Sequence, residues 1–175
     1  LVLALRTRPA LAAALRGRIG AVALPLLARA WSSLGHHHRR DPATRRGVLA
    51  ALAGVEALTP DNATGRAAQR DLLGMRARLW EHAGSLAWAR RDLLAALAVP
   101  SIAGDADAQA QADLHAALAR LLVDTDPVGS YAHARAALEV APSVEGMRMQ
   151  LADTPTLAAR AGEDPTWRRL FMPTP

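Results

Sequence analysis

Three adjacent histidines, His36-His37-His38, are the first residues in this chain whose type invites chemistry. Imidazoles share a metal when they sit on one face of a helix, as at i and i+4. Successive helical residues point about 100° apart, so three in a row cannot converge on one ion. The run is expected to be a solvated helix end ahead of Asp41-Pro42. Asp105 and Asp107 alternate in the manner of a calcium loop, but the later glycine and the bidentate Glu are missing, and a turn is expected there. His82, His115 and His133 each stand alone, which predicts ordinary surface or half-buried residues. There is no glycine-rich phosphate loop, no His-Glu-x-x-His, no Gly-x-Ser-x-Gly and no cysteine. The expectation is a chain that is not an enzyme and has no catalytic residues, metal site or cofactor.

What would position any functional side chain is helix. Alanine and leucine dominate the 175 residues, while Phe and Tyr occur once each. Alanine loses no side-chain entropy in a helix, and the aromatic and β-branched residues that favour strands are scarce. An all-α fold follows. The four tryptophans, Trp31, Trp80, Trp88 and Trp167, are expected on helices as core anchors.

Charge is uneven along the chain. All 21 Lys-plus-Arg positions are Arg. Nine of them lie in residues 1–46 against one acid, Asp41, while the rest of the chain carries twelve Arg and fifteen acids. A basic end on a mildly acidic body fits a membrane surface or nucleic acid. The chain begins at Leu1, not Met, which predicts a piece or a processed product of a longer protein. No apolar run reaches the roughly 18 residues of a membrane-spanning helix; the nearest, Ile19–Ala28, is closed by Arg29.

Helix punctuation is regular. Asp41-Pro42, Asp126-Pro127 and Asp164-Pro165 each put a capping carboxylate before a residue whose fixed φ suits the first helical position. Thr154-Pro155 is expected to do the same with a hydroxyl, and Gly84-Ser85 to end one helix and cap the next. These signals predict helices near 43–58, 62–82, 86–98, 106–123, 127–140, 144–152 and 155–162, with a last turn around Trp167. Leu114, Ala117, Leu118, Leu121 and Leu122 draw one apolar face; Ala89, Leu93, Ala96 and Leu97 draw another, between Arg90, Arg91 and Asp92. Short connections make sequential helices antiparallel neighbours.

Three helices end alike, at Ala57-Leu58-Thr-Pro60, Ala96-Leu97-Ala-Val-Pro100 and Ala137-Leu138-Glu-Val-Ala-Pro142. With Trp31-Ser-Ser-Leu34-Gly35 before the first of them, and Ala89-x3-Leu93 in the second, the chain resembles tetratricopeptide repeats. His38 stands where that pattern has Tyr, Ala51 and Ala134 where it has Phe, and Ser130 where it has Ala. The closing prolines Pro60, Pro100 and Pro142 are 40 and 42 residues apart, longer than the family period of about 34. The resemblance covers residues 28–143. It implies antiparallel helix pairs stacked as a short α-solenoid: a basic segment at 1–27, repeats over 28–152 (about 28–60, 70–100 and 111–143), and a C-terminal capping helix and tail at 153–175. Arg160, Glu163, Asp164, Arg168 and Arg169 would give that cap a polar outer face.

What the resemblance implies for function is a non-catalytic protein–protein interaction module, a scaffold or adaptor with a groove for a peptide. The first helix of each pair lines that groove in the family, which places Arg29, His36, Arg39, Arg78 and His115 on it. Guanidinium groups there would take an acidic peptide or a free carboxylate. Two other readings stand beside it. In the first, Arg6, Arg8, Arg16 and Arg18 form a cytoplasmic loop, the chain crosses a membrane at about Ile19–Leu34, and the repeats lie outside. That arrangement resembles the tail of bacterial O-antigen ligase- or polymerase-type membrane proteins. The second is nucleic-acid binding by the arginine cluster, without an aromatic platform to give it specificity.

Overall fold

The computed structural model describes residues 21–26, 28, 41–101 and 103–172. Among these every regular element is helical, so the all-α expectation is met. The chain divides into two compact units, residues 1–102 and 103–175, and each is described by itself.

In the first unit, α1 (Pro42–Ala51) starts from Asp41, whose carboxylate accepts the Thr44 amide at 2.7 Å. The expected helix over 43–58 is shorter: it ends at Ala51, Gly54 takes φ +81°, and a single 3₁₀ turn, Val55–Ala57, follows. A left-handed residue cannot continue an α-helix, and glycine reaches that conformation without a Cβ clash. The long helix α2 (Ala63–His82) is capped by Asn62 through Gly65 and ends in a Schellman arrangement. There the Ser85 amide reaches the Trp80 carbonyl and the Gly84 amide the Glu81 carbonyl, both at 2.9 Å, with Gly84 at φ +73°. Helix α3 (Leu86–Leu97) then runs back along α2. Leu72, Leu73, Ala77, Ala89, Leu93 and Ala96 fill the space between them, and the small residues let the two backbones approach. Residues 21–26 form a helical piece whose Leu24 is fully buried.

The second unit repeats the device. Helix α4 (Asp105–Leu122) packs along α5 (Pro127–Val140) through Ala112, Ala116, Ala119, Ala134 and Ala137. Ser130, where the repeat pattern has alanine, is fully buried, and its hydroxyl donates to the Ala119 carbonyl of α4. A buried hydroxyl needs such a partner, and this one closes the helix pair. Three short helices follow: α6 (Val144–Ala152), α7 (Pro155–Glu163) and α8 (Pro165–Phe171). They bury Met147, Leu151, Leu157 and Trp167 against the pair. Trp167 sits edge-on to Tyr131, with ring centroids 5.5 Å apart, so this tryptophan is the core anchor expected of it. The predicted apolar face of α4 is buried at Leu114, Leu118, Leu121 and Leu122, and the helix also buries its alanine side.

Two caps differ from expectation. Ser85 makes no side-chain cap on α3, and Thr154 makes none on α7; the Thr154 hydroxyl donates instead to the Gln150 carbonyl one turn back. Asp126 and Asp164 do cap, as Asp41 does.

Gly65 gives a test of this packing. A Cβ there would lie 2.6 Å from the Pro60 Cβ and 3.0 Å from the Ala21 Cα, whereas one at Gly47 would meet nothing within 4 Å. Glycine costs a helix interior about 1 kcal/mol relative to alanine. Gly47→Ala is therefore expected to raise stability by up to about 1 kcal/mol, and Gly65→Ala to lower it. Urea melts of the two variants side by side check both signs.

Candidate functional site

The first unit is organised around one buried cation. Arg76, on α2, grips Asp92 of α3 with both arms of its fork: Nε to Oδ2 and Nη2 to Oδ1, each 2.7 Å. Its Nη1 donates to the Leu52 carbonyl at the end of α1 (2.6 Å) and meets Glu56 Oε2 of the 3₁₀ turn at 2.8 Å. The Asp92 side chain is 1% exposed and that of Arg76 7%. Burial by itself lowers the basicity of Arg76, but the hydrogen bonds and charges of Asp92 and Glu56 outweigh it and raise it. Burial likewise pushes the Glu56 carboxyl up. Hydrogen bonds from its own backbone amide and from Arg76, with the charges of Arg76 and Arg91, hold it below its usual value. Asp92, expected among the polar residues flanking the α3 face, lies instead within that face. Its spacing of three from Ala89 and four from Ala96 was the available signal.

Glu56 carries the network out to the surface, since its other oxygen takes Arg91 Nη2 at 3.0 Å. Arg91 lies over the Trp88 ring, 4.9 Å from its centroid, and Trp88 stacks on Trp80 of α2 with centroids 5.9 Å apart. Trp88 is 48% exposed. It is thus a surface residue and not the core anchor expected from its type. Leu86 and Leu94 on the same helix are also exposed, and Arg90, between them at i+4 from Leu86, completes a stripe of apolar and basic groups. A small cavity of about 170 Å³ opens beside the tryptophans, with Leu49, Gly54, Glu56 and Arg76 on its wall. Arg45 of α1 reaches the same end of the unit, donating to the His82 carbonyl at 3.3 Å.

The residues expected to line a groove fare as follows. Arg29, His36 and Arg39 lie outside the described residues, as do the histidine run, Trp31 and most of the expected crossing Ile19–Leu34. Arg78 is exposed on α2 in the first unit. His115 belongs to the second unit and is half-buried. It does not stand alone: its Nδ1 lies 3.0 Å from Nδ1 of His133, so a hydrogen bond between the two rings joins α4 and α5. No group of three or more metal-ligating side chains is found among the described residues, and no described helix is long and apolar enough to cross a membrane. Arranged this way, the first unit offers a rigid aromatic and guanidinium face, and its polar groups are engaged in holding that face.

Family models, curated proteins and solved structures were compared with the chain, and none matches.

Two outcomes follow from this geometry. Asp92→Ala strands the Arg76 charge and is expected to cost about 3–5 kcal/mol; adding Arg76→Met removes the stranded cation and should recover part of that loss in denaturant melts. Burial first, and then the neighbouring His133, lowers the pKa of His115 from 6.5. The unfolded chain then binds more protons, so stability falls as pH drops through 6.5 towards the lower folded value. Thermal melts from pH 7.5 downward should show that slope, and His115→Gln should flatten it.

Proposed function

We propose that the chain is a non-catalytic interaction module, a short array of tetratricopeptide-like helix pairs, and that the outer face of α3 docks an acidic protein segment. The observation that carries this reading is Trp88, half exposed on a helix where it is held from both sides by Trp80 and Arg91. A large ring fixed before binding loses little entropy on contact, and tryptophan and arginine are the residues most enriched where binding energy concentrates. Leu86, Arg90 and Leu94 form a second exposed stripe of the same helix, roughly 120–160° around from Trp88.

The occupant is set by charge. Arg91 is exposed on this face, while the nearby acids are spent: Glu56 on Arg76 and Arg91, Asp92 on Arg76. A segment that alternates aliphatic and acidic side chains would cover the tryptophan and leave its carboxylates beside Arg91. The resemblance itself implies a different site, at Arg29, His36, Arg39, Arg78 and His115.

A fluorescent peptide of alternating Leu and Glu, titrated into the chain beside its Leu/Lys counterpart, separates these cases. The acidic peptide is expected to bind, and Trp88→Ala or Arg91→Glu to weaken it about tenfold or more. If both variants bind like the parent while Arg39→Ala with Arg78→Ala loses affinity, the α3 face is not the docking site.

A further inference from the structure

At the other end of the first unit, between the 3₁₀ turn, the start of α2 and the end of α3, lies a cleft of about 330 Å³. Its volume is at the lower end of the range for small-ligand pockets, about 300–1,000 Å³. Leu58, Pro60, Leu73, Ala98 and Val99 make its wall largely apolar. Two of its polar side chains are already committed. Gln69 donates to the carbonyls of Val55 and Leu58, and both oxygens of Glu56 hold arginines.

Arg66 is different. Its side chain lines the cleft, its Nε is buried and has no hydrogen-bond partner, and its Nη1 makes one long bond, 3.4 Å, to the Asp61 carbonyl. A carboxylate supplies two acceptors in the spacing of the paired Nη N–H groups, which the single long bond to Asp61 leaves largely unused. We infer that this cleft binds a small aliphatic carboxylate, its acid group on Arg66 and its hydrocarbon body against Leu58, Leu73 and Val99. The site is distinct from the α3 face and does not depend on that surface docking a protein.

The probe is 4-methylpentanoate, titrated into the ¹⁵N-labelled full chain beside its neutral isostere, 4-methylpentanamide. The amides of Arg66, Leu73, Ala98 and Val99 report the cleft. Saturable shifts are expected with the acid, and binding of the amide should be about tenfold weaker or worse. Arg66→Gln should bring the acid down to the level of the amide. Ala98→Leu narrows the cleft and leaves Arg66 in place, and should weaken both probes; circular dichroism melts of both variants show that they fold. Equal binding of acid and amide overturns the inference. So does wild-type affinity for the acid in Arg66→Gln or Ala98→Leu, or an absence of shifts at these amides up to the solubility of the acid.

Discussion

Arg76 places a positive charge almost entirely out of water, and the first unit is arranged around satisfying it. A guanidinium presents five N–H donors in a rigid plane, so its partners must come from several directions at once. Here they come from the carboxylate of Asp92 on α3, a backbone carbonyl at the end of α1, and Glu56 on the 3₁₀ turn. Apolar packing tolerates a small slide of one helix along another. A bidentate fork with 2.7 Å contacts does not, and it fixes the register of α2 against α3. The early end of α1 also becomes intelligible, because a helix continued past Ala51 would have committed the Leu52 carbonyl that Arg76 uses.

The same charge network accounts for the surface. Through Glu56 it reaches Arg91, and through Arg91 it reaches Trp88. The tryptophan is therefore held in one orientation by contacts that trace back to a buried ion pair. The cleft near Arg66 draws on the same economy of charge from the other side. Glu56, the only carboxylate among the described residues that line it, is consumed by Arg76 and Arg91.

The second unit solves the packing problem with fewer charges. Five alanines bring α4 and α5 together, and a serine hydroxyl and a histidine pair fix their alignment. A hydrogen bond between two imidazoles holds while at least one of them is neutral, which ties this alignment to pH in a way the Arg76 fork is not. Trp167, Tyr131 and Phe171 then close the end of the unit with the bulk that the alanine seam lacks.

By itself, the sequence determined the helices and most of their ends. Alanine content sets helix over strand, and Asp-Pro pairs and Gly84 act within a few residues of the chain, so their effect needs no tertiary knowledge. The seams were legible for the same reason, because Ala89, Leu93 and Ala96 repeat with the helix period. Ser85 and Thr154 show where local rules ran out: each has a capping residue's identity, but neither hydroxyl caps its helix, and that of Thr154 takes a carbonyl one turn back. What only the tertiary structure decided was which charged and aromatic residues are buried. Arg76, Asp92, Trp88, Arg66 and the His115–His133 pair look like unremarkable polar or core positions when read singly. The partners of Arg76 and Asp92 and of the histidine pair lie 16, 24 or 18 residues away, and no local pattern encodes a pairing across two helices.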